Sequence, residues 1–175
     1  MDAYTLYVAS VRWIHIIAGI TWIGILYYFN FVQVPSFAKM EAAERTNATQ
    51  ILVPRALLFF RWGALLTCLA GITMVLSYGL AGPRADSYWH SAAFHMILIG
   101  GGLGTMMFIN VWGIIWPYQK RIIEATNAVA AGGTAPADQP KWARRAFLAS
   151  RTNTMFSIPM VFFMVAAPFL GALQG

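Results

Sequence analysis

The stretch WIHIIAGITWIGILYYFNFVQVPSFA, residues 13–38, contains no Asp, Glu, Lys or Arg. A helix needs roughly 20 apolar residues, at about 1.5 Å each, to cross a hydrocarbon layer about 30 Å thick. The run exceeds that length. A membrane-spanning strand would be about 10 residues of alternating polarity, which this is not. Away from water the backbone must satisfy its own hydrogen bonds, so the run reads as a transmembrane helix. Residues 62–83, 87–119 and 152–175 are likewise free of charged side chains and carry the same reading.

Composition agrees. The 175 residues are 59% hydrophobic and 10% charged, with mean hydropathy +0.60. Soluble domains carry about 25% charged residues, so these values exclude a disordered segment and argue against a soluble enzyme. The expectation is an all-α integral membrane four-helix bundle, one domain over residues 1–175. Its helices are predicted at about 8–34, 54–81, 87–118 and 147–172, with loops at about 35–53 and 119–146. The first run is too long for a secretory signal, and neither a cationic segment nor a small-residue cleavage site flanks it. It is expected to remain in the mature chain.

Basic residues set the orientation. The first and third loops and their flanks carry Lys39, Arg45, Arg55, Arg61, Lys120, Arg121, Lys141, Arg144, Arg145 and Arg151, against Arg12 and Arg84 on the other side. The positive-inside rule predicts both loops in the cytoplasm and both termini outside. The net charge of +6 then reflects topology and anionic lipid rather than nucleic acid. Trp13 and Trp89 mark the outer interface, Trp116 and Tyr118 the inner one. In the first loop, Phe37, Met40 and Ala43 lie among charged neighbours and suggest a short helix on the membrane surface. Residues 125–140 read as a flexible loop. The single cysteine, Cys68, makes no internal disulfide and no CxxCH haem attachment, and reads as a packing residue. Neither an internal repeat nor a soluble domain is expected.

Polar groups inside a bilayer are costly, so each is a functional candidate. His15 and His95 fall at similar depth near the outer ends of the first and third spans. Two histidines at one level on different helices are the minimum for axial ligation of a haem. Gly19 and Gly102, on the same faces, would let a flat macrocycle approach the backbone. The alternative is interhelical packing, for which the Gly100–Gly104 spacing is suited. His90, beside Trp89, reads as a solvated interface residue, and a copper or zinc site built from all three histidines stays open. At the inner ends lie Asn30, Gln33, Arg61, Asn110, Arg151, Thr152 and Asn153. Arg61, Asn110, Arg151 and Asn153 form a candidate substrate, quinone or lipid site, with Arg61 alternatively a snorkelling arginine. There is no Ser-His-Asp set, phosphate loop or paired carboxylate, which speaks against hydrolase and nucleotide-driven chemistry.

The strings WIHIIAGITWIG (13–24), FRWGALLT (60–67), FINVWGIIWPYQKRII (108–123) and ASRTNTMFSIPMVFFMVAAP (149–168) resemble the membrane domain of bacterial urate hydroxylase, the urate oxidase N-terminal family. The resemblance implies a bacterial inner-membrane oxidoreductase passing electrons to a periplasmic cytochrome c. It carries over His15, Asn110, Arg151 and Asn153 as matched positions. A looser likeness connects the chain to small four-helix membrane protoporphyrinogen oxidases, which are haem-linked and place histidine in the first span. The preferred expectation is a membrane oxidoreductase or electron-transfer subunit with a b-type haem on His15 and His95. One alternative is a cofactor-free accessory subunit of a respiratory or photosynthetic membrane complex. The other is a urate-oxidising enzyme.

Overall fold

The computed structural model describes residues 2–173, with side chains through residue 169. Four long helices dominate it: α1 (Ala3–Phe37), α2 (Ala42–Ala81), α3 (Ala92–Ala130) and α4 (Gln139–Leu173). Each is long and apolar enough to cross a membrane, and no strand occurs among the described residues. A short helical turn, Ala85–Tyr88, lies between α2 and α3.

Local chemistry fixes the helix starts. Asp2 caps α1 by accepting from the Thr5 N–H at 2.7 Å, and this bond holds its carboxyl below the usual range. Glu41 and Glu44 form a reciprocal capping box at the start of α2. Ser91 accepts from the Phe94 N–H at 3.1 Å to open α3. The capping box explains why most of the expected first loop is instead the opening of α2; of the residues expected in a surface helix, Ala43 lies in α2, Phe37 ends α1 and Met40 lies in the connection. Pro54 removes one backbone donor from α2 without ending it. The third connection is likewise shorter than expected. α3 continues to Ala130 and is closed by Gly132 at φ 91°, a conformation glycine adopts without steric cost.

Two π-helical turns interrupt the spans, Tyr28–Gln33 in α1 and Val111–Ile115 in α3. Each stands just ahead of a proline, Pro35 or Pro117. Proline offers no N–H, and a wider turn lets the chain re-register around the missing bond. The Val34 N–H accordingly reaches back to the Phe29 carbonyl, and the Trp116 N–H to Val111.

α1 lies along α2 and α3 along α4, with lighter contacts joining the two pairs. Glycines set the closest approaches. A Cβ on Gly63 would stand 3.3 Å from the Ala18 carbonyl oxygen and the Trp22 nitrogen. One on Gly100 would stand 3.1 Å from Phe163 Cβ. The Gly100–Gly104 spacing therefore serves helix packing.

The interior of α4 is polar where its surface is not. Asn153 and Ser157 are fully buried, while Met155 and Ile158 are 71% and 68% exposed. Ser157 Oγ pairs with Tyr27 Oη of α1 at 2.9 Å, and Ser150 Oγ accepts from Asn30 Nδ2 of α1 at 2.8 Å. Asn153 accepts from Asn110 Nδ2 of α3 at 2.9 Å and donates to the Met107 carbonyl at 3.0 Å. An apolar exterior around a hydrogen-bonded interior is what contact with lipid requires.

Replacing Gly100 with Leu should overpack the α3–α4 contact and cost about 1–3 kcal/mol. Gly101→Leu should be close to neutral, because a Cβ there meets nothing within 4 Å. Thermal unfolding of both variants in detergent checks this. Equal losses would refute the assigned contact face.

Candidate functional site

His15 turns toward α2. Its Nδ1 lies 2.8 Å from the Thr67 carbonyl oxygen. A carbonyl only accepts, so Nδ1 carries the proton and Nε2 keeps a free lone pair. That pattern, one ring nitrogen held by a carbonyl and the other free, is the one metal-bound histidines use. The ring also rests on Gly71, where a Cβ would stand 3.1 Å from His15 Cε1. His95 shows the same polarity by a different route. Its Nδ1 lies 2.7 Å from the Ser91 carbonyl of its own helix, and the ring is exposed. His90 is exposed as well.

These histidines do not close on one slot. His15 and Gly19 both face α2, where a Cβ on Gly19 would lie 3.7 Å from Thr67 Cγ2. Gly102 faces open space. The physical reason is the pairing of the helices. Close approach at Gly63 and Gly100 seats α1 on α2 and α3 on α4, so equal depth on α1 and α3 does not bring their faces together. His15 is half-buried and His95 exposed, on helices that are not paired with each other. Among the described residues no group of three or more His, Cys, Asp or Glu side chains could hold a metal ion. Cys68 is half-buried and free.

The inner set also separates. Asn110 and Asn153 are bonded to each other in the α3–α4 contact. Arg61 stacks its guanidinium 3.8 Å from the centre of the Trp116 ring, with Trp112 at 6.0 Å. That stack holds the cation on α3, combining the snorkelling expectation with a specific partner. Its Nε is buried without a hydrogen-bond partner. Arg151 is exposed and lies over Phe147 of its own helix. These four residues form a packed pair, an aromatic stack and a surface cation rather than one anion pocket.

What does converge is the space between the helix ends at the side of the α1–α2 and α3–α4 connections. A cavity of about 560 Å³ opens there, lined by Asn30, Gln33, Thr49, Ile115, Thr126 and Ser150 among others. Asn30 and Gln33 come from the π-helical turn of α1, and Ile115 from that of α3. Thr49 and Ser150 could not be assigned to it from sequence, because small hydroxyl residues occur throughout the helices. One sequence signal did exist. The interval from His15 to Asn30 equals that from His95 to Asn110, each pair ends at or beside a π-helical turn, and both asparagines donate to α4.

Among known families, the one described as urate oxidase N-terminal matches residues 83–173. The match covers α3 and the described part of α4, with His90, His95, Asn110, Arg151 and Asn153, and leaves His15 outside it. No curated protein and no solved structure matches the chain.

The Asn110–Asn153 contact predicts a measurable coupling. Asn153→Leu alone should cost about 1–3 kcal/mol, since it leaves Asn110 and the Met107 carbonyl without their partner. A double-mutant cycle with Asn110→Leu, read by denaturation in detergent, should give a coupling of about 0.6–1.7 kcal/mol. Strict additivity would argue against the bond.

Proposed function

The chain belongs to the urate oxidase N-terminal family, and on that premise we propose that it is the membrane part of a redox system in a bacterial inner membrane. Its four helices cross the bilayer with both termini outside, and electrons from an oxidised substrate leave toward a periplasmic cytochrome c. The observation that carries the redox reading is the family match over residues 83–173. The basic residues gathered at the two connections on one side support the orientation, since translocating them would be costly.

A b-type haem, when bound, would supply one-electron transfer between substrate and cytochrome c. His15 is the residue that would hold it. Its Nδ1–H is engaged by the Thr67 carbonyl, which fixes the ring and directs basicity to Nε2. The Gly71 backbone supports the ring from α2. His95 offers the same tautomer from the outer surface of α3, where it is accessible to a neighbouring chain.

A second reading is a cofactor-free accessory subunit of a larger membrane complex. Gly101 and Gly102 favour it, because both present open backbone on α3 to which another helix could come close. A colourless protein that co-purifies with such a complex would select this reading.

Purified protein should show a Soret band that is lost in His15→Ala and kept in His90→Ala. A band unaffected by His15→Ala would remove this ligand assignment. Urate-dependent reduction of added cytochrome c would identify a urate-oxidising enzyme in particular. For orientation, a cysteine placed at Ala131 in a Cys68→Ser background should react with an impermeant maleimide only after the cells are opened. One placed at Ser87 should react in intact spheroplasts, and the reverse pattern would invert the topology.

A further inference from the structure

We propose that α3 and α4, where they approach their shared connection, bind the phosphate of an anionic phospholipid. The inference starts from a reciprocal pair of contacts. α3 carries an aromatic ring and, three residues on, an arginine: Tyr118 and Arg121. α4 repeats that spacing with Trp142 and Arg145. Each arginine reaches the other helix. The Arg145 guanidinium lies 5.6 Å from the Tyr118 ring centre, and its Nη1 donates to Tyr118 Oη at 2.6 Å. The Arg121 guanidinium lies 5.8 Å from the Trp142 ring centre and 5.7 Å from that of Tyr118 on its own helix. Cation–π attraction thus draws two like charges to one tyrosine.

No carboxylate answers them. Among the described residues neither arginine has a salt bridge, and the nearby acids are taken: Glu124 pairs with Lys120 and Asp138 with Lys141. Arg121 and Arg145 are exposed, while the two rings that hold them are half-buried. A guanidinium carries five N–H donors, so most of theirs stay free, and an anion both accepts from them and relieves their repulsion. Their level selects the source of that anion. The exposed side chains of α4 pass from Lys141 and Arg144 to Phe147, Leu148 and Met155 across Arg145, and on α3 exposed Ile109 gives way to exposed Lys120. Such a change from apolar to cationic surface is the level of lipid phosphates, whose oxygens match the planar guanidinium. A zwitterionic headgroup adds an ammonium that Lys141 and Arg144 would repel, so the charge selects a net anionic lipid. The inference rests on the bilayer placement proposed above and on none of the redox chemistry.

Binding of fluorescent phosphatidylglycerol to the full chain in detergent tests this, at an ionic strength of about 0.15 M where distant charges are screened. It should bind at least about tenfold more tightly than phosphatidylcholine with the same acyl chains and fluorophore. Glycerol 3-phosphate, which has the phosphate without the chains, should compete at least about tenfold less well than unlabelled phosphatidylglycerol. Arg121→Gln, which leaves the Arg145–Tyr118 bond in place, and Arg145→Gln should each weaken phosphatidylglycerol binding about tenfold, the loss of one charge-assisted hydrogen bond. Arg144→Gln removes the same charge from the same turn and should change binding by less than about twofold. Equal binding of phosphatidylcholine, competition by glycerol 3-phosphate as strong as by the lipid, or equal losses in all three variants would each overturn the proposal. Alkaline extraction of membranes holding the chain checks the bilayer placement by itself, so the two failures are told apart.

Discussion

The hydrogen-bonded face of α4 is the constraint on which the assembly depends. Ser150, Asn153 and Ser157 lie on one stripe of that helix and bond side chains of α1 and α3. The Ser150 and Ser157 bonds tie α4 to α1 across the two helix pairs, alongside the Arg61–Trp116 stack between α2 and α3, because an apolar surround gives no hydrophobic force between helices. Small residues bring each pair together, as at Gly63 and Gly100. Polar bonds then choose which pair faces which. The burial of an amide such as Asn153 is tolerable because both ends of its side chain are satisfied.

The π-helical turns connect this architecture to the cavity. Each arises ahead of a proline, and the extra residue in the turn shifts the side chains that follow. In α1 the turn includes Asn30 and Gln33, which line the cavity and whose amide oxygens are buried without partners. In α3 the turn includes Ile115, which lines the same cavity. A regular helix through either segment would present a different face, so the cavity's polarity follows from where proline interrupts the ladder.

The histidines show how far depth along a helix is from position in space. His15 and His95 are alike in depth and in tautomer, yet one packs on α2 and the other is exposed on α3. The Thr67 carbonyl acts on His15 from a helix that no spacing rule in α1 could have indicated. Arg61 gives the opposite lesson. Its neighbours Phe60 and Trp62 already marked it as partly embedded, but its stacking partner Trp116 comes from α3.

Charge-free runs and their length were enough to read four long apolar helices and no sheet, because hydrophobic thickness and backbone satisfaction leave few other solutions. The same residues made the family resemblance legible, and the urate oxidase N-terminal match now covers the second half of the chain. Helix ends were less legible. The capping box at Glu41 and Glu44 extends α2 through a segment whose charges read as a loop. Tertiary structure alone decided helix pairing and rotation, and with them the fate of every candidate residue. It joined Asn110 to Asn153, separated His15 from His95, and gathered Asn30, Gln33 and Ser150 around one space. The reason is geometric: sequence periodicity says that a helix has a face, whereas which neighbour meets that face depends on close approaches and hydrogen bonds between residues far apart in the chain.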